Sequence, residues 1–202
     1  MDCFTFSVHY DVDETLWDLG LNYKKLGDQE SVSQKIQKIE MEMDLVLITE
    51  MFNESIIMLK DRLCWNLEDM TYIRQNERSQ KFKSNMTIRT RSILQQWLWA
   101  DYQLYYYFLT KFKMTLDEIN PSYLQNQLET LELLNKDLKE KCQAKVVDNE
   151  SVLGKLNHMG NDMVIAYSVV ENCTYYVISE PSFFNVIRKS YSEGEPRPQP
   201  IW

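Results

Sequence analysis

Between Ser31 and Leu63 the hydrophobic period of the chain changes twice, and this limits the folds open to it. Val32, Ile36, Ile39 and Met43 recur at three- and four-residue steps with Gln and Lys between them, the spacing of one helical face. Ser31 is placed to cap that helix. The segment Asp44-Leu45-Val46-Leu47-Ile48-Thr49 follows, a short continuous apolar run rich in branched residues, which reads as a buried strand. From Glu54 onward Ile56, Ile57, Leu59 and Leu63 restore helical spacing. Helix, buried strand and helix in one short stretch predict α/β architecture.

The rest of the chain is mostly helical in pattern. Met86 to Phe112 reads as one long helix, with Ile93, Leu94, Trp97, Asp101, Leu104, Tyr105, Phe108 and Phe112 on one side. Asn120-Pro121 ends that region, because proline restricts the residue before it and cannot continue a helix. Leu124, Leu128, Leu131, Leu134 and Leu138 make a further amphipathic helix, up to about Cys142. These leucines approximate heptad positions, but over too short a stretch, which favours an intradomain helix over a coiled coil. Residues 1–28 and 143–170 carry no clear period. Asp11, Asp13, Glu14 and Asp18 cluster without the order or closing Glu of a calcium loop, so a solvated loop is expected. Pro181 opens a last short helix, Ser182 to Ser190, before an extended proline-rich tail. The expected organisation is one domain over residues 1–192 and a tail over 193–202, with no internal repeat.

Composition excludes several function classes. The chain has 202 residues, 44% of them hydrophobic, which is enough for one domain with a core. Lys plus Arg number 22 against 30 Asp plus Glu, a formal charge of -8. That balance argues against nucleic acid, which needs a basic face, and suits an anionic membrane surface poorly. No apolar run approaches the ~20 residues of a membrane span. Met1-Asp2-Cys3-Phe4-Thr5 lacks a signal-peptide pattern, so the chain taken alone reads as cytosolic. Four sequons, at Asn53, Asn85, Asn149 and Asn172, hint instead at the secretory route.

Metal and nucleophile signatures are missing. Cys3, Cys64, Cys142 and Cys173 show no zinc spacing, and His9 and His158 lack ligand-spaced neighbours, so no metal is expected. Gly154-Lys155 is not a phosphate-binding loop, and no Rossmann or nucleophile-elbow motif occurs. The carboxylates after the apolar run carry more information. A strand ending near Ile48 delivers Glu50 at its C-terminal end, where open α/β sheets bind ligands. A carboxylate directly after a buried strand is costly without a partner or purpose, so Glu50 is a ligand candidate. Glu54 has two readings of equal weight, a ligand or a charge favoured by the helix dipole in a first turn. Lys60 follows one to two turns on.

This block also resembles the galactose 3-O-sulfotransferase family, which includes galactosylceramide sulfotransferase. The similar passage stands here as Leu45-Val46-Leu47-Ile48, Glu50, Phe52-Asn53-Glu54-Ser55, Leu59-Lys60 and Leu63-Cys64-Trp65-Asn66-Leu67-Glu68-Asp69. Tyr72 to Arg78 resembles the family's Y-x-x-x-N-x-R step, and Trp97, Asp101, Leu104, Tyr105 and Phe108 its W-x-x-x-D-x-x-L-Y-x-x-F helix. Asp18-Leu19-Gly20 is similar to its D-x-G step; Cys173, Pro181, Phe184 and Arg188 match its closing pattern more loosely. The resemblance is specific from Leu45 to Phe112. Asn53 stands where Asp is more usual and creates a sequon.

The resemblance implies a partial sulfotransferase fold akin to P-loop kinases: the helix-rich C-terminal half of the catalytic domain, with few strands. It implies transfer of a sulfuryl group from 3′-phosphoadenosine 5′-phosphosulfate, a co-substrate, to the 3-hydroxyl of galactose on a glycolipid or glycan in the Golgi. Family members are membrane-anchored; no anchor is found in this sequence. The phosphosulfate loop and the 3′-phosphate segment are not found either, so the catalytic base and the cofactor Lys are expected upstream and no residue here is given those roles. Glu50, Glu54, Lys60 and Trp65 are candidates for the acceptor cleft, since carboxylates accept sugar hydroxyls and a Trp face can stack on a sugar. Arg74 and Arg78 are candidates for the nucleotide, with plain surface placement as the equal alternative. Trp65, Trp97 and Trp99 could each stack on a sugar face, with core placement the more frequent reading for all three. Cys64, Cys142 and Cys173 lie in family-like contexts, and in an oxidising lumen one pair would be a disulfide. A half-domain would expose a parallel-sheet edge and self-associate. The alternative is a non-catalytic helical interaction module or pseudoenzyme.

Overall fold

Most of the apolar periods become helices, and several helix ends have a visible chemical cause. The computed structural model describes residues 14–74, 77–78, 80–83, 86–148, 163–177 and 188. Asp11, Asp13, Asn85, Asn149, the helix expected from Ser182 (apart from Arg188) and the proline-rich tail lie outside these residues. The chain forms two compact units, Met1–Leu59 with Asn85–Leu124, and Lys60–Ser84 with Gln125–Trp202.

The first unit contains α1 (Glu14–Asp18), α2 (Gln29–Glu42), α4 (Ile88–Trp97), α5 (Trp99–Glu118) and most of α3 (Phe52–Leu63). The period of α2 buries Val32, Ile36 and Ile39, as expected, while Met43 lies past the helix and is exposed. The helix starts earlier than Ser31. Asp28 caps it, accepting hydrogen bonds from the backbone N–H and the hydroxyl of Ser31. Ala100, Leu104, Phe108 and Phe112 recur every fourth residue of α5 and are its buried stripe. The first three pack with Leu16, Leu21, Val32, Ile36 and Ile39, and Phe112 packs with Ile48 and Met58. Burying one such side chain is worth roughly 1.5–3 kcal/mol.

Two sequence expectations fail in this unit. The helix foreseen over Met86–Phe112 is broken at Leu98, whose backbone leaves the helical region (φ -103, ψ 35). Thr87 caps the first piece, α4, which buries none of its residues; Ile93 and Trp97, expected on the packed side, are exposed. The segment Asp44–Thr49 is not a strand either. Its backbone is extended at Ile48, but among the described residues no strand pairs with it. The Ser55 hydroxyl supplies what a neighbouring strand would: Ile48 N–H donates to Ser55 Oγ at 3.0 Å, and Ser55 donates back to the Ile48 carbonyl at 3.0 Å. Both polar groups of Ile48 are thus satisfied inside an apolar cluster at the cost of one buried hydroxyl.

Helices α2 and α5 are tied by Glu40, which accepts from the Tyr107 hydroxyl and pairs with Lys111 at 2.6 Å. Lys111 first and then Tyr107 hold the Glu40 carboxyl below its ordinary value of 4.5. A carboxylate depressed on folding stabilises the fold above its unfolded value and loses that effect as pH falls through its folded value. Glu40→Gln is therefore expected to melt earlier than the wild type at pH 7, with the gap narrowing as pH falls below the ordinary carboxylate value of 4.5. Paired melting curves at pH 7 and pH 3.5 check this; a gap independent of pH would contradict it.

The second unit contains α6 (Pro121–Lys141) from Gln125 onward, α7 (Thr174–Val177) and the described strands, β1 (Glu77–Arg78), β2 (Lys145–Asp148) and β3 (Met163–Tyr167). The order is β1-β3-β2, antiparallel throughout, with Val146 opposite Ala166 and Arg78 opposite Met163. No parallel sheet occurs among the described residues, so the parallel-sheet edge expected from sequence has no counterpart there. Pro121 is the first residue of α6, where its missing N–H costs nothing, and the Asn120 side chain accepts from Tyr123 N–H. Leu131 is fully buried and the other leucines of the stripe, Leu124, Leu128, Leu134 and Leu138, are half-buried, which fits the intradomain reading. Ile73, Cys142, Ala144, Ala166 and Cys173 form the core, and Cys142 is disulfide-bonded to Cys173.

Three helices end in the same device. Gly20 (φ 91), Cys64 (φ 55) and Gln143 (φ 46) take the left-handed conformation just past α1, α3 and α6. The next residue then reaches back across the turn: Leu21 N–H to Leu16, Trp65 to Lys60, Ala144 to Lys139. Glycine adopts this conformation freely, whereas Cys64 and Gln143 do so at some cost.

Candidate functional site

The best-defined polar surface in the first unit is built around Glu50. Ser55 fixes Ile48, Met51 N–H bonds back to the Ile48 carbonyl, and the resulting 3₁₀ turn over Thr49–Met51 leaves Glu50 exposed. Glu50 is hydrogen-bonded to the Tyr105 phenol of α5; burial first, then this carboxylate, raise the phenol above its ordinary value of 10.0. Tyr106 packs edge-on against Tyr105 at 5.3 Å and near Tyr102 at 5.8 Å. Gln95 donates to the Tyr106 hydroxyl at 3.3 Å. A carboxylate beside tyrosine rings offers a sugar two complementary contacts: an acceptor for hydroxyls and aromatic faces for its C–H surface. Glu54 is half-buried in the first turn of α3, which fits the helix-dipole reading.

The other candidates belong to the second unit. Lys60 is largely covered, paired with Asp61 at 2.8 Å and donating to Gln127 at 3.1 Å. Trp65, immediately past the Cys64 turn, is half exposed. Arg74 is exposed and pairs with Glu77 at 2.6 Å, and Lys83 pairs with the same carboxylate at 2.7 Å. Lys83 first, then Arg74, hold the Glu77 carboxyl below its ordinary value. Arg78 is exposed on β1. The sequence-derived candidates are thus divided, Glu50 and Glu54 in one unit and Lys60, Trp65, Arg74 and Arg78 in the other.

Sequence reasoning missed the tyrosine beside Glu50. Tyr105 was visible within the family-like helix motif, but an aromatic run on a helix has the pattern of core. No group of metal-ligating side chains occurs among the described residues. No described helix is long and apolar enough to cross a membrane.

The galactose-3-O-sulfotransferase family profile matches residues 2–162. The chain belongs to the galactose-3-O-sulfotransferase family. It is similar to galactose-3-O-sulfotransferase 2 of Mus musculus, 32% identical over 129 residues, which are 63% of this chain and 33% of that protein. It is also similar to galactosylceramide sulfotransferase of Homo sapiens, 27% identical over 137 residues, 68% of this chain and 32% of that protein. Galactose-3-O-sulfotransferase 4 of Bos taurus is 25% identical over 127 residues, 58% of this chain and 26% of that protein. This galactose-3-O-sulfotransferase family member therefore spans about a third of the length of the first two of these relatives. No solved structure matches it.

The family-like motifs now have physical roles in this chain. The D-x-G step ends α1 with Gly20, and the L-C-W step ends α3 with Cys64. The Asp of the aromatic helix, Asp101, accepts the backbone N–H groups of Thr15 at 3.0 Å and Leu16 at 2.9 Å.

Proposed function

We propose that this chain belongs to an enzyme that moves a sulfuryl group from 3′-phosphoadenosine 5′-phosphosulfate to the 3-hydroxyl of galactose on a glycolipid or glycan, acting in the Golgi. The observation that carries this is the family match over residues 2–162, joined by relatives named for galactose and galactosylceramide. In such a transfer the galactose oxygen attacks sulfur, the sulfur–oxygen bond to phosphate breaks, and adenosine 3′,5′-bisphosphate leaves as negative charge gathers on its phosphate. A base takes the hydroxyl proton. We assign neither that base nor the phosphosulfate-binding Lys to this chain.

The contribution we assign to it is to the acceptor. Glu50 is exposed and bonded to the Tyr105 phenol, and the Tyr106 ring, in contact with Tyr105 and Tyr102, continues the aromatic surface. Trp65 is the second aromatic candidate and Glu54 a secondary carboxylate. Lys60, paired with Asp61 and donating to Gln127 within its own unit, is a weaker sugar candidate. For the nucleotide edge Arg78 and Arg74 remain the candidates, and Arg74 would have to exchange Glu77 for phosphate.

The full-length enzyme tests this with sulfate transfer to a galactosyl lipid. Glu50→Gln is expected to raise the acceptor KM about tenfold, the loss of one charged hydrogen bond, with the donor KM unchanged. An unchanged acceptor KM would remove Glu50 from the site. The donor side is tested by melting the protein with increasing adenosine 3′,5′-bisphosphate, which raises the melting temperature saturably if the native state binds it. A cooperative melt with no shift and no transfer would favour the other reading, a non-catalytic interaction module.

A further inference from the structure

The sequon Asn172-Cys173-Thr174 has a disulfide-bonded cysteine at its centre. We propose that Asn172 is an N-glycosylation site whose occupancy is set by competition with formation of the Cys142–Cys173 disulfide. The inference rests on this bond and on the exposure of Asn172, independently of sulfuryl transfer.

Exposure sorts the sequons. Asn172 is exposed, so the folded unit has room for a glycan there. Asn53 is half-buried, and its hydroxyl residue, Ser55, is buried and engaged with Ile48. The backbone of the Asn172 sequon is a different matter. Asn172 and Cys173 form a 3₁₀ turn that runs directly into α7, and Thr174 is the first residue of that helix. Cys173 N–H is bonded to the Val170 carbonyl, and Val170 N–H to Ser168 Oγ. Ser168 donates in turn to the Cys142 carbonyl at 2.5 Å. Cys173 is 8% exposed, inside the core with Ile73, Ala144 and Ala166. The turn is thus fixed by the partner to which the sulfur is bonded. A glycosylating enzyme must take up Asn, the middle residue and Thr as an open strand so that it can reach the amide and the hydroxyl together. The closed turn denies it that strand; the open chain offers it.

The two reactions balance separately. In glycosylation the Asn172 amide nitrogen attacks the anomeric carbon of a lipid-pyrophosphate-linked oligosaccharide. The bond to pyrophosphate breaks, the lipid pyrophosphate leaves, and the amide proton passes to a base of the transferring enzyme. In disulfide formation the two thiols give up two protons and two electrons to an oxidised dithiol carrier, which becomes the dithiol. Chains that close the disulfide first stay bare at Asn172, and chains glycosylated first can still close it, because the Asn172 side chain is exposed.

The test directs the full chain into the secretory lumen with a cleavable signal. Asn53, Asn85 and Asn149 are each changed to Gln, and the glycosidase-induced mobility shift is read together with the mass of the Asn172 peptide. Partial occupancy is expected, rising at least twofold in Cys142→Ser, which leaves the sequon intact but removes the bond. The same rise is expected when cells expressing the unsubstituted chain are treated briefly with dithiothreitol. Leu131→Ala, which weakens the core of the same unit but keeps both cysteines, controls for a folding defect and should leave occupancy unchanged. Cys64→Ser, which removes the exposed free thiol, should leave occupancy unchanged. Equal occupancy with and without Cys142, or none in either, would overturn the proposal.

Discussion

Changing Cys142 and Cys173 together to serine is expected to cost the protein about 3.5 kcal/mol of stability. The bond closes a loop between residues 31 apart in sequence, and the chain-entropy relation assigns a loop of that length a cost between those of short and very long loops. Both sulfurs lie in the core of the second unit, among Ile73, Ala144 and Ala166, so serine also places hydroxyls in an apolar site. The bond holds the C-terminal end of α6 to the turn before α7, which are otherwise joined mainly through Ser168 and the Cys142 carbonyl. Denaturant melts of the oxidised protein, the reduced protein and the double variant check this. The last two should both have a lowered midpoint, with the double variant the lower of them; a midpoint unmoved by reduction would show that packing alone holds the unit. Stability restored by oxidant alone would agree with an oxidising home for the chain.

How far the sequence can be read depends on whether a residue's partner is local. The helix periods could be read because Val32, Ile36 and Ile39, or Leu124 to Leu138, report their own face through spacing alone. Asp28 and Ser31 are both good caps three residues apart, and the sequence does not say which one caps; in the structure Ser31 is the donor and Asp28 the acceptor. The strand expected at Leu45–Ile48 failed for a nonlocal reason. An apolar run shows that a segment is buried but not what satisfies its backbone, and here the Ser55 hydroxyl does so instead of a neighbouring strand. The described strands escaped notice because they are two to five residues long, and two of them fall in the region 143–170, which has no clear period. Cys142 and Cys173 could not be paired from spacing alone, since three cysteines shared similar contexts.

The candidate site follows the same rule. Glu50 stood out because a carboxylate directly after a buried strand is costly without a partner, but the run is not a strand and Glu50 is exposed, so that cost does not arise. Its partner Tyr105 was hidden, because tyrosines beside Phe108 and Phe112 on one helix share the pattern of core. The recognisable family-like motifs mostly turn out to be joints. Gly20, Cys64 and Asp101 end or begin helices, so their chemistry concerns where the chain turns rather than what it binds.

Asp101 is the joint whose loss should be felt most in the first unit. Its two carboxylate oxygens take the N–H groups of Thr15 and Leu16, more than eighty residues away in sequence, and so fix the start of α1. The first N–H groups of any helix lack internal partners, and a carboxylate there is favoured both as acceptor and by the helix dipole. Leu16, fully buried against Leu104 and Phe108, is held in place by the same contact. Asp101→Ala removes both charged hydrogen bonds and strands donors beside the core, for an expected loss of about 3 kcal/mol. Asp101→Asn keeps one acceptor and should lose about half of that. Denaturant melts measure the totals, and amide exchange at Thr15 and Leu16 separates this contact from a general loosening. In Asp101→Ala those two amides should exchange faster before Ile36 or Ile39 does. A variant that melts like the wild type, with both amides still protected, would show that Leu16 alone anchors α1.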